Sequence, residues 1–177
     1  MSKQIALITG ANRGLGSHHA EELLARGAKV YTGVRKLESI DLPGVIPLKI
    51  DITDEKSIAV AAEIAKEVTK YSFRSIFVER DGGGSYPAAK SAEWSLTNTL
   101  RLELAPKNIL VSGLHVAYME TDMTANIKAP KSNPAEIAKM AIYGIEADNY
   151  EILADNLSRM VQQNLAGGAK AIYPQFF

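Results

Sequence analysis

Tyr86 and Lys90 stand four positions apart in the stretch GSYPAAK, residues 84–90. A free phenol ionises only near ~10, so a lone tyrosine is a poor proton donor or acceptor at neutral pH. If the stretch is helical, the two side chains share a face, and an ammonium there would favour the phenolate. That arrangement suits general acid–base chemistry. The pair carries little weight alone. With seven tyrosines and thirteen lysines in 177 residues, roughly half a Tyr-x-x-x-Lys match arises by chance.

A second candidate device is TGANRGLG, residues 9–16, with glycines at 10, 14 and 16. A phosphate-bearing ligand can rest on a helix N-terminus only where the backbone approaches closely and no Cβ intrudes. Gly10 would permit the tight exit from a strand, Gly14 the close approach and Gly16 the packing of helix on strand. The plainer alternative is a tight turn with no ligand. Placement between a first strand and a first helix reduces that alternative to about one chance in ten.

The elements that must carry these residues follow from hydrophobic patterning. QIALITG (4–10) is a short apolar run ended by glycine, as expected of a buried parallel strand. GLGSHHAEELLARGA then reads as a helix stopped at Gly27. KVYTGVR (29–35), VIPLKI (45–50), ILVSGLHV (109–116) and YEILA (150–154) read as further strands, with SIFVE (75–79) a short additional one. Helices are expected over 54–70, from Tyr86 to about Ala105, from Pro134 in NPAEIAKMAIYGIEA, and over DNLSRMVQQNLAGG. RDGGGS is a loop, and the tail AKAIYPQFF is apolar without a period. Strands alternate with helices, which predicts an α/β fold with a parallel sheet covered on both faces. The length suits a single domain, residues 1–177.

Composition narrows the partners. Charges balance at net zero and no basic run or basic–aromatic stripe occurs, which argues against nucleic acid and membrane surfaces. The absence of cysteine excludes disulfides and thiolate metal sites and fits a reducing cytosol. MSKQIALITG lacks signal-peptide anatomy, so a cytoplasmic location is expected. His18 and His19 diverge by about 100° on a helix with no third ligand near in sequence, so no metal site is expected. His115, in an expected buried strand, reads as a packing residue.

The glycine spacing is G-x-x-x-G-x-G. Together with Asp51 after the third strand and the Tyr86/Lys90 pair, in that order, it resembles the short-chain dehydrogenase/reductase family. The resemblance runs from residue 4 to about 165, through KSAEWSLTNTLRLELAPKNILVSGLHV to YMETDMT. It implies a Rossmann-type doubly wound parallel sheet and oxidoreductase activity, with hydride passing between a nicotinamide cofactor and a small or medium carbonyl or alcohol. Tyr86 would be the general acid or base and Lys90 would hold the nicotinamide ribose. Thr121 would hold the nicotinamide amide, and Asp51 the adenine amino group. The cofactor-binding set is Gly10, Asn12, Arg13, Gly14, Leu15, Gly16, Arg35, Asp51, Ile52, Lys90 and Thr121. The family's dimers imply a homo-oligomer through the 86–105 helix.

In an NAD site a carboxylate at the end of the second strand accepts from the ribose 2′-hydroxyl, whereas arginine pairs with a 2′-phosphate. YTGVRK supplies Arg35 and Lys36 there and no acid, and Arg13 adds a cation from the glycine loop. NADPH is therefore expected in preference to NAD. Two solvated surface cations remain the alternative, at about one in four.

Two departures from the family pattern matter. The serine that polarises the substrate oxygen usually precedes the tyrosine by thirteen positions, where this chain has Phe73. Ser72 is taken as its counterpart, with Ser75 and Ser85 as alternatives. In addition, only 34 residues lie between Asp51 and Tyr86. The family fits a helix, a central strand with an Asn-Asn-Ala-Gly segment, a second long helix and a further strand into that interval. The chain therefore reads as an internally shortened member with central strand(s) missing. The alternative to an enzyme is a non-catalytic nucleotide-binding or scaffold remnant.

Overall fold

The structure is a computed structural model that describes residues 4–64, 71–76 as backbone, 85–172 and Pro174. The expected RDGGGS loop, except Ser85, lies outside the described residues, as do 65–70 of the expected 54–70 helix and most of the tail after 172. The chain forms two compact units.

The first unit takes its described residues from Met1–Lys70, Glu120–Ile127 and Asn133–Ile142. It contains β1 (Ile5–Thr9), α1 (Gly14–Ala25), β2 (Lys29–Val34), β3 (Ile46–Lys49) and α2 (Glu55–Ile64). The strands form a parallel sheet in the order β1-β2-β3, with Leu7 beside Tyr31 and Tyr31 beside Ile46. Alternate residues of a strand face opposite sides of its sheet, and β2 shows the consequence. Val30 packs in a cluster with Ala20 and Ala28, joined by Leu23 and Leu24 of α1. Tyr31 packs with Leu48, Ile50 and Ala61 of α2. Each face thus receives its own helix, which is why β2 is buried at every residue from Val30 to Val34 rather than at alternate ones.

The second unit takes its described residues from Tyr71–Met119, Lys128–Ser132 and Tyr143–Phe177. It contains β4 (Tyr71–Ile76), α3 (Ser85–Leu104), β5 (Leu110–His115), β6 (Glu151–Leu153), α5 (Asn156–Asn164) and α6 (Gly168–Ile172). A further helix, α4 (Pro134–Glu146), begins in the last segment of the first unit and ends in the second. The strand order is β4-β5-β6, again parallel. Val111 and Leu114 of β5 are fully buried.

Gly113 stands in the middle of β5 for a local reason. A Cβ there would meet Glu151 Oε2 at 3.1 Å, Arg101 Nη2 at 3.2 Å and His115 Nε2 at 3.3 Å. The missing side chain makes room for an ion cluster that ties α3 to β5 and β6. Arg101 Nη1 donates to Glu151 Oε1 at 2.5 Å and to Asn98 Oδ1 at 2.6 Å, while Nε donates to the Val111 carbonyl at 2.9 Å. Burial works against ionisation of Glu151, but its bonds from His115 and Arg101 outweigh this and hold its carboxyl below the usual range.

The architecture is α/β with parallel sheets flanked by helices, as the patterning predicts. Two details differ. The strand expected at 75–79 begins at Tyr71, because all six residues of β4 pair with β5 from Tyr71↔Leu110 to Ile76↔His115. The strands fall into two three-stranded sheets, with β1 and β4 each at the end of its strand order. Among the described residues, the short interval after Asp51 holds α2 and β4. The tail also departs from expectation, with α6 forming over 168–172.

Candidate active site

The glycine loop lies wholly in the first unit. Gly10 and Gly14 have φ of +67° and +57°, left-handed conformations in which a Cβ is strained. Gly16 has an ordinary φ but no space: a Cβ there would lie 2.6 Å from the Gly10 carbonyl oxygen. The first turn of α1 therefore presses against the strand exit, where the Gly10 amide donates to the Gly33 carbonyl at 2.9 Å. Gly16→Ala is expected to destabilise the fold by about 2 kcal/mol, the usual range for overpacking. Urea melts against wild type would measure it, and an unchanged midpoint would contradict the close packing.

α1 begins at Gly14 with Arg13 as its N-cap, and no side chain caps the helix. Early amides of a helix have no partner within it and seek one elsewhere. Ser17 does not take that role, since its hydroxyl donates to the Gly14 carbonyl at 2.8 Å. Asn12 and Arg13 are exposed, and Leu15 is half-buried.

Thr121, over a hundred residues away in sequence, is brought to this loop. Its Cγ2 lies 3.8 Å from where a Gly14 Cβ would be. A one-turn helix over Asp122–Thr124 fixes it: the Thr124 amide donates to the Thr121 carbonyl at 3.0 Å, and the Thr121 amide donates to Thr124 Oγ1 at 3.3 Å. Asp51 follows β3. Its Oδ1 accepts from the Thr53 amide at 3.0 Å and from the Thr53 hydroxyl at 2.7 Å. Those bonds, led by the backbone one and helped by Arg35, hold the carboxyl below its ordinary value. Ile52 and Arg35 are exposed.

Tyr86 and Lys90 lie in the first two turns of α3, in the second unit. Lys90 Nζ sits 5.8 Å from the centroid of the Tyr86 ring, so the helix does place ammonium and phenol on one face. Lys90 also donates to Glu93 Oε2 at 2.7 Å. The sequence reading missed Glu93, although its i,i+3 spacing was the available signal. Ser72 is a residue of β4, opposite Val111. Ser85 opens α3. Among the described residues no group of three or more His, Asp or Glu side chains is arranged to hold a metal.

Comparison with known proteins points one way. The sequence model of the short chain dehydrogenase family matches residues 71–132. Bovine (Bos taurus) retinol dehydrogenase 12 is 26% identical over 160 residues, 83% of this chain and 49% of the relative. Human retinol dehydrogenase 12 is 35% identical over 103 residues, 51% of this chain and 31% of that protein. The chain thus spans half or less of the length of these curated relatives. Among solved structures, a short chain dehydrogenase from Burkholderia cenocepacia in complex with NADP superposes with a TM-score of 0.90 at 25% identity, covering 99% of this chain and 98% of the other. A Sphingobium yanoikuyae short-chain dehydrogenase in complex with NADPH gives 0.74 at 18% identity, covering 97% and 95%. Among the described residues no helix is long and apolar enough to cross a membrane.

Proposed function

Because the chain belongs to the short-chain dehydrogenase/reductase family, we propose that it is an oxidoreductase moving hydride between NADPH and a small or medium carbonyl or alcohol. The observation that carries this reading is the start of α1. Its early amides have no side-chain cap, Gly10, Gly14 and Gly16 leave no Cβ in the way, and Thr121 stands beside Gly14. An anionic diphosphate fits such a site by charge and by shape.

The residues then take distinct roles. The α1 amides and the loop from Gly10 to Gly16, including Asn12, Arg13 and Leu15, hold the diphosphate. Asp51 and Ile52 border the adenine, with the Asp51 carboxylate already oriented by Thr53. Arg35 and Arg13 favour a 2′-phosphate over a bare hydroxyl. The dinucleotide, when bound, supplies the hydride. Tyr86 gives its phenolic proton to the carbonyl oxygen, and Lys90 steadies the ribose hydroxyls and the phenolate. Ser72 polarises the carbonyl oxygen as a neutral hydrogen-bond donor. The two units together are proposed as one dinucleotide-binding domain.

Thermal melts with and without NADPH, followed by NADPH oxidation with a panel of aldehydes and ketones, test the reading. At a hundredfold excess over Kd, binding stabilises by about 2.7 kcal/mol. The midpoint is then expected to rise by about 5 °C. A cooperative melt that ignores saturating NADPH would overturn the proposal.

A second reading, a nucleotide binder without turnover, is favoured by two observations. The Lys90 ammonium is already engaged by Glu93, and the chain spans only half of its curated relatives. A thermal shift with no cofactor oxidation on any carbonyl would select it.

A further inference from the structure

The second unit contains a cavity of about 240 Å³ that the proposed hydride chemistry does not use. Its walls are apolar: Trp94 from α3, Leu157, Val161 and Leu165 from α5 and the adjoining turn, and Val116 and Leu153 beyond β5 and in β6. Asp155 builds this space. Its carboxylate caps α5 by accepting from the Ser158 amide at 2.7 Å, and it also accepts from the Ala117 amide at 2.6 Å. The start of α5 is thereby pinned to the chain leaving β5.

His115 and Glu151 also border the cavity. Glu151 Oε1 accepts from Arg101, and Glu151 Oε2 contacts His115 Nε2. An ionised carboxylate can only accept, so the hydrogen of this contact must reside on Nε2. In the neutral imidazole the other nitrogen, Nδ1, is then a lone-pair acceptor. It has no side-chain or backbone partner among the described residues. An acceptor at the margin of an apolar cavity selects a hydroxyl donor on an apolar body and disfavours an anion. A carboxylate would meet a lone pair on Nδ1 and the like charge of Glu151 nearby.

We propose that this cavity binds a small apolar alcohol, its body against Trp94 and Leu157 and its O–H donated to Nδ1 of His115. The volume equals roughly that of eight water molecules, enough for one ring with a short arm. Neither Tyr86 nor Lys90 is among the residues that line it.

Trp94 is the only tryptophan in the chain, so its emission reports occupancy of the cavity directly. The test is titration of the intact protein at pH 8, without nucleotide, using cyclohexylmethanol, methylcyclohexane and cyclohexanecarboxylate. The alcohol is expected to give a saturable change in Trp94 emission. The hydrocarbon and the carboxylate should bind about tenfold more weakly, the cost of one hydrogen bond. His115→Phe should remove that tenfold advantage while leaving hydrocarbon binding in place, and Val161→Phe should abolish the response by filling the space. Equal binding of alcohol and hydrocarbon to wild type would overturn the proposal whether or not the variants fold. So would no saturable response to the alcohol, or a full response in a cooperatively melting Val161→Phe. Because no NADPH is present, failure here leaves the hydride-transfer reading untouched, and failure of that reading leaves this one standing.

Discussion

Tyr86→Phe is expected to lower kcat for NADPH-dependent carbonyl reduction by about 10³-fold, within the usual range for loss of a general acid. That is about 4 kcal/mol of barrier. The substitution deletes one oxygen and keeps the ring, so the Lys90 ammonium retains its aromatic neighbour on α3. The phenol acts on the transition state rather than on the bound substrate, so KM should change by less than about fivefold, about 1 kcal/mol. The NADPH-induced rise in melting temperature should persist, because the diphosphate contacts proposed for α1 lie in the other unit. Steady-state kinetics on both proteins decides the matter. Equal residual turnover in wild type and Tyr86→Phe would mean that the phenol carries no proton and would favour the binding-only reading.

How legible this arrangement is in the sequence depends on the range of each determinant. The glycine loop is local: a strand exit, a close approach and a helix start fall within eight residues, and each needs a residue without Cβ. The Tyr86/Lys90 geometry is local too, set by one turn of α3. β4 was placed too late because YSFRSI mixes serine and arginine into its pattern, and its extent is set by pairing with β5. The Arg101–Glu151–His115 cluster joins residues 50 and 36 positions apart. No periodicity reports such a contact. Gly113 was its single trace in the sequence, a small residue inside an apolar strand. Thr121 was legible only through family resemblance, since its approach to Gly14 depends on the tertiary return of 120–127 to the first unit.

Acid is expected to destabilise the protein in two separate windows, the first set by His19. Adjacent histidines on α1 meet opposite environments. His18 remains partly exposed and pairs with Glu21 at 2.9 Å, whereas His19 is buried. Burial, aided by His18, lowers the His19 pKa from 6.5 to about 4. In the unfolded chain the imidazole gains its proton near pH 6.5, while the folded chain resists until about pH 4. The unfolded state therefore binds more protons across this interval, and stability falls as pH falls from 6.5 to 4. The full loss is about 3 kcal/mol. From the foot of that window down, the depressed carboxyls act in turn. Glu151 loses its stabilising charge as pH drops from its ordinary value of 4.5 through its lowered folded value, so a further decline begins below about 4.5. Urea melts at pH 7.5, 6, 5, 4, 3.5 and 3 on wild type and His19→Leu would separate the two. The variant should lose the slope between 6.5 and 4 and keep the one below. A wild-type protein whose stability is flat from pH 6.5 to 4 would show that His19 is protonated in the folded state, and its burial on α1 would then need an acidic partner to explain it.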